Sequence, residues 1–253
     1  MKALILYILQ CTKRDKIFIS ILVCIIVSFL LACFLGSTAA YEQNQMKIVY
    51  SSGIFRLIFV YGFSIFNAFY ISRMFQTREL ETFLAGPVPR HSLTTSLIIV
   101  NCILIFSLTT FASLLLKAFF YNIIPFSHLL FWFISVFFET LIISIISIFL
   151  SVMLTNTTTS ILLITIFYIT SRIMGFILSS IELKIHGLSF IGIIQTLLIP
   201  LSIFFPRLDL FSQSTWLIYG DPITNGKIII FQSLIYIPLL TFACTIDFNK
   251  KSL

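Results

Sequence analysis

The sequence predicts an all-α polytopic membrane protein, on three observations. Of its 253 residues, 59% are hydrophobic and only 10% are charged, whereas soluble domains carry about 25% charged residues. With a mean hydropathy of +1.09, the chain lacks the polar residues to cover a globule, so the bilayer is its main solvent. Its apolar runs reach the about twenty residues a helix needs to cross roughly 30 Å of hydrocarbon. Phe, Ile and Leu fill them without the strict alternation of an outer-membrane barrel.

Six membrane helices are expected, at 17–35, 54–73, 93–120, 127–154, 157–180 and 226–246. Lys13, Arg14 and Lys16 precede the first run, and "GSTAA" (36–40) follows it as a cleavage site would. A secretory h-region spans only about 7–15 residues, so this longer run is expected to stay as the first span. The connections then alternate. Tail 1–16, loop 74–92, the tight turn "LTNTTT" (154–159) and tail 247–253 share one side; loops 36–53, 121–126 and 181–225 share the other. Lys2, Lys13, Arg14, Lys16, Arg73, Arg78, Arg90, Lys250 and Lys251 all fall to the first side, out of 16 Lys and Arg in the chain. Basic residues held near helix ends mark the cytoplasmic side, so both termini and the 74–92 loop are expected there. The stretch 187–205, with Gln195 and Pro200, is apolar enough to cross. A crossing would carry Lys250 and Lys251 outside, so a re-entrant or surface helix pair is expected instead. No linker or internal repeat divides the chain, which reads as one domain, 1–253.

The net charge of +7 comes without a basic cluster interleaved with aromatics, and is read as a membrane-protein charge bias rather than a nucleic-acid footprint. Cys11, Cys24, Cys33, Cys102 and Cys244 stand singly and are expected to pack as small hydrophobes. His91, His128 and His186 have no neighbour in ligand spacing, so no metal site is assigned. Lys117 is expected to snorkel to the headgroups. Trp132, Trp216 and Tyr219 are expected as interface anchors.

"RELETFLAGPVPR" (78–90) is the long polar interruption of the first half. Thr77 is placed to cap a short helix whose first turn holds Glu79 and Glu81, where the helix dipole favours anions. Leu80, Phe83 and Leu84 fall at i, i+3 and i+4 and make one apolar face. Gly86 and Pro87 stop the helix, and Pro89 stiffens the return to the next span. The expected product is a short amphipathic helix across the membrane surface, offered either to a partner or to lipid.

Two ionisable residues lie deep in spans. Glu139 and Arg172 are each sixteen residues from the turn at 155–156, which places them at one height, roughly 24 Å up an antiparallel hairpin. A charge at mid-membrane costs at least about 2.5–3.5 kcal/mol on insertion scales, so the two are expected to pair. Thr158, Thr165, Tyr168, Arg172, Gly175 and Ser179 follow helical spacing along the same span. They are read either as a structural ion pair with close packing or as a polar wall of a translocation path.

The segment 78–90 resembles the cytoplasmic stretch after the second span of ABC-2-type permeases, the membrane subunits of ATP-binding-cassette exporters. Glu79, Glu81, Leu84, Pro87 and Arg90 match its acidic pair, Leu-rich turn and Pro-x-x-Arg ending. "FFPRLDLFSQSTWLIYGD" (204–221) and the ending "DFNKKS" are similar to what flanks the last span in such proteins. The resemblance implies a coupling helix, with Leu80 and Phe83 on its docking face, that sits in a groove of an ATPase subunit. The chain carries no GxxxxGK[ST] phosphate loop, so a separately encoded ATPase that binds ATP and Mg is implied. Paired ATPases imply two permease subunits, as a homodimer, in a bacterial inner membrane. On this reading the chain itself is no enzyme and holds no cofactor. An intramembrane enzyme is disfavoured because there is no HExxH, GxSxG or Mg-holding carboxylate cluster. A secondary carrier or channel, or an assembly subunit of a larger complex, stands as the alternative; carriers usually show repeats and broken helices.

Overall fold

A computed structural model describes residues 2–39, 41–77, 90–154, 156–182, 205–220 and 223–250, with the backbone alone at 90, 175–182, 223–225 and 250. Its helices are α1 (Lys2–Arg14), α2 (Lys16–Ser37), α3 (Gln43–Gln76), α4 (Arg90–Phe119), α5 (Phe126–Leu154), α6 (Thr157–Glu182), α7 (Trp216–Tyr219) and α8 (Ile223–Lys250). A 3-10 turn, Leu208–Leu210, precedes α7. No strand occurs among the described residues. Six helices are long and apolar enough to cross a membrane: α2, α3, α4, α5, α6 and α8. The protein is an all-α, multi-pass membrane protein.

The tail expected over 1–16 is instead mostly helical. In α1, Ile8 and Thr12 are one turn apart and buried, and the Thr12 hydroxyl donates to the Ile8 carbonyl at 2.8 Å. Asp15 ends this helix and caps the next: its Oδ1 accepts from Ile17 N at 3.3 Å, satisfying one orphan donor of α2. α2 packs through Ile21, Ile25, Phe29, Ala32 and Gly36, a stripe at helical spacing. Gly36 is required there, because a Cβ would strike the Lys47 side chain and come within 2.8 Å of Lys47 N.

α3 is much longer than the 54–73 expected. It begins at Gln43, so only residues 38–42 connect it to α2, with Glu42 in the left-handed region (φ 53). Its 34 residues span about 51 Å, well beyond the hydrocarbon. Phe55, Phe59, Phe63, Phe66 and Tyr70 form its buried stripe. Thr77, expected to open the following helix, closes α3: its hydroxyl donates to the Arg73 carbonyl at 2.9 Å.

α5 lies at the centre, packed by α3, α4, α6 and α8. Apolar contact between spans releases little water, so small residues and interhelical hydrogen bonds fix such crossings. α3 and α5 meet that way. Asn67 Nδ2 donates to the Ser144 carbonyl at 3.3 Å and to its hydroxyl at 3.0 Å, and Ser147 Oγ donates to the Ser64 carbonyl at 3.0 Å.

The connections alternate between two ends. A cavity of about 280 Å³ is lined by Asp15, Ile17, Phe69, Ser72, Arg73, Gln76 and Thr157, so the α1–α2 elbow, the end of α3 and the α5–α6 turn share one end. The Arg73–Asp15 ion pair, 2.9 Å long, ties the first two together. At the other end, Glu42–Gln45 meet Ile123, and the starts of α5 and α8 meet Tyr219 and Gly220.

The expectation for the tryptophans is corrected, and that for the cysteines holds in part. Trp132 and Trp216 are 0% and 2% exposed and belong to the core rather than to an interface belt, because Trp132 lies on the packed side of central α5 and α7 packs against α5. Tyr219 is open, at 76%. Cys244 is buried in the core and Cys33 and Cys102 pack against it as small hydrophobes, whereas Cys24 lies exposed. Lys117 reaches past its own helix end, donating to the carbonyls of Tyr121 (3.2 Å) and Ile124 (2.8 Å).

Candidate functional site

The hairpin α5–α6 brings its two charges together. Arg172 Nη1 donates to Glu139 Oε1 at 3.2 Å, and the Tyr168 hydroxyl donates to the same oxygen at 3.2 Å. Glu139 is 0% exposed and the Arg172 side chain 25%. Tyr168 is held from the α3 side by Tyr61, ring to ring at 5.7 Å in an edge-on contact. Both donors use Oε1; Oε2 is buried without a partner.

The cation is shared with a third element that spacing did not reveal. Arg172 Nη1 also donates to the Leu208 carbonyl at 2.8 Å and lies 3.5 Å from that of Phe211. From α3, Arg56 Nη1 donates to the Ser212 carbonyl at 3.1 Å. From α5, Ser135 Oγ accepts from Ser212 N at 2.7 Å. One turn, 208–212, is therefore pinned by three different spans. Leu208, Phe211, Trp216 and Leu217 sink into the core beside it. Ser212 holds φ 52, which aims its carbonyl and its N–H at different helices. Arg207 and Asp209 pair with each other at 3.3 Å. Backbone away from regular helix is tolerated at membrane depth where protein covers it.

The polar stripe expected along α6 is only partly inward. Its buried side is Ser160, Ile164, Tyr168 and Ser171. Thr158 is exposed, and the Thr165 hydroxyl donates back to the Ile161 carbonyl at 2.8 Å rather than to the ion pair. The stripe runs along the edge of the packed face, and Tyr168 is where the two overlap. Gly175 and Ser179 are described by their backbone alone, and the whole 187–204 stretch lies outside the described residues.

Glu79, Leu80, Glu81, Phe83, Leu84 and Pro87 also lie outside them, and of Arg90 only the backbone is described, as the first residue of α4. The described flanks fix where the segment attaches: α3 delivers it beside Asp15 and Thr157. No protein-family model and no curated protein matches the chain. Among the described residues no three His, Cys, Asp or Glu gather as a metal site would require.

The outer cluster can therefore do two things. It neutralises a carboxylate deep in the bundle, and it holds the 208–212 turn in place through arginine–carbonyl bonds that carry no covalent or metal constraint.

Proposed function

We propose that this chain is the membrane-spanning permease subunit of an ABC-2-type exporter, moving its substrate across a bacterial inner membrane by alternating access. A separately encoded ATPase binds ATP and Mg, and two permease chains work as a pair. One observation carries the reading: the segment that bears Glu79, Glu81, Leu84, Pro87 and Arg90 attaches at the same end as basic α1 and the Arg73–Asp15 elbow. The positive-inside rule makes that end cytoplasmic, where an ATPase can reach it.

The mechanism is mechanical. ATP closes the two ATPases, and the docked 79–84 feet move with them. Along the chain the 79–84 segment joins α3 to α4, and α3 is tied to the α1–α2 elbow through Arg73–Asp15. Tilting α3 displaces Arg56 from the outer turn, since one stiff helix carries both ends. Nucleotide shifts the balance only through contacts that differ between the two states. Glu139, Arg172 and Tyr168 then line or brace the outer half of the path.

Purification of the chain from its native membrane, without crosslinking, tests the proposal. An ATP-binding-cassette ATPase should co-purify, and Leu84→Asp should lower its turnover about tenfold or more, since a buried Leu contributes about 1.5–3 kcal/mol. A bound ATPase whose turnover ignores changes at Glu79, Glu81 and Leu84 contradicts it.

A further inference from the structure

The outer cluster holds more positive than negative charge. Arg56 and Arg172 both reach the 208–212 turn, and Glu139 is the carboxylate that pairs there, Asp209 being engaged by Arg207. The carbonyls of Phe211 and Ser212 belong to successive residues, whose Cα atoms are about 3.8 Å apart, so both guanidiniums bond to one turn. Beyond the Glu139 carboxylate on Arg172, their partners are neutral carbonyls. Arg172 Nη1 has two N–H groups for three acceptors, Glu139 Oε1, Leu208 O and Phe211 O. Arg56 Nε is buried without a partner. A carbonyl brings no charge to the guanidinium it accepts from, whereas the planar fork matches phosphate and carboxylate bidentately.

We propose that Arg56 and Arg172 together form a receptor for an anionic group, a phosphate or carboxylate, that displaces the 208–212 carbonyls and frees the outer turn. The carbonyls hold the place an anion would take. The surface beside Arg172 is apolar: Ile169 and Ile173, on the same helix α6, are each 46% exposed. An anion carried on an acyl or alkyl chain meets both needs. Binding and opening are then one event, because the groups that bind the anion are those that held the turn. That this anion is the cargo rests on the transport reading; that the receptor exists does not.

Trp132 and Trp216 are the two tryptophans of the chain, and Trp216 sits buried just beyond the turn. Trp132→Phe therefore leaves one reporter of its release. The full chain, in phosphatidylcholine nanodiscs without any ATPase, is titrated with dodecyl phosphate, dodecyltrimethylammonium and inorganic phosphate. Dodecyl phosphate is expected to shift Trp216 emission to the red and raise its acrylamide quenching, while the cationic amphiphile leaves both unchanged. Arg56→Gln should raise the half-saturating concentration about tenfold or more, the loss of one charged hydrogen bond, and Arg56→Lys should recover part of it. Arg56 carries the test because removing Arg172 strands Glu139. A weaker response to inorganic phosphate assigns the site to a lipid-borne anion, and an equal one to a free anion. No response to dodecyl phosphate, an equal response to both amphiphiles, or full affinity in Arg56→Gln overturns the proposal. Because no ATPase is present, a failure in this titration is distinct from a failure of the ATPase to co-purify, which tests transport separately.

Discussion

Removing one charge of the Glu139–Arg172 pair should cost far more from one side than from the other. In Glu139→Gln the remaining cation keeps the Leu208 carbonyl at 2.8 Å and the Phe211 carbonyl, and the amide oxygen still accepts from Tyr168. The loss is about 1–2 kcal/mol, a charged hydrogen bond exchanged for a neutral one. In Arg172→Gln a fully buried carboxylate is left with Tyr168, and the outer turn loses its α6 anchor. Breaking a buried pair this way costs about 3–5 kcal/mol; because Arg172 is a quarter exposed, the lower half of that range applies. The two variants should therefore differ by about 2 kcal/mol, or about 4–8 °C in melting temperature for a domain of this size. Thermal unfolding in nanodiscs, followed by tryptophan emission, measures it. Glu139→Gln combined with Arg172→Gln removes both charges, so its loss should be smaller than the sum of the single losses by a coupling of about 2 kcal/mol. An Arg172→Gln protein as stable as Glu139→Gln, together with additive losses in the double variant, refutes the reasoning.

Other predictions follow from close backbone contacts and from the ends of the bundle. Gly36→Ala should part α2 from the start of α3, since the new Cβ meets Lys47 backbone, and should cost about 1–3 kcal/mol as overpacking does; a smaller variant at Lys47 cannot rescue it. Gly220→Ala meets His128 Nε2 at 2.9 Å and carries φ +79, so it should lose about 1–3 kcal/mol in thermal unfolding, part of it regained with His128→Ala. Ser212→Gly should be neutral or stabilising by up to about 1 kcal/mol, whereas Ser212→Val should destabilise because a branched residue resists φ 52. In a cysteine-free background, Gln213→Cys should react with an impermeant maleimide on intact cells and Thr82→Cys only after permeabilisation; the reverse pattern inverts the topology.

The spans were legible because length and apolarity are local properties, and all six expected spans overlap a long apolar helix. Their ends were less so. The polar turns 43–53 continue α3 beyond the hydrocarbon, where hydropathy no longer marks a helix. α1 was missed although its signal is present, with Ile8 and Thr12 one turn apart before Lys13 and Arg14. The ion pair was legible because hairpin register fixes height: Glu139 and Arg172, equidistant from one turn, meet at 3.2 Å. Its other half was not. Arg56 binds a carbonyl 156 residues away, and neither its spacing nor its neighbours encode that distance. Trp132 shows the same limit from the other direction. The interfacial preference of Trp is a statistical depth rule, and it says nothing of which side of a helix faces lipid.

Whether an ATPase rests on the 79–84 segment decides the permease reading most directly. A photo-crosslinking amino acid at Phe83, irradiated in living cells, should capture an ATP-binding-cassette subunit identified by mass spectrometry, and Leu84→Asp should abolish the product. Crosslinks to lipid alone, or to a protein on the outer side of the membrane, would contradict it.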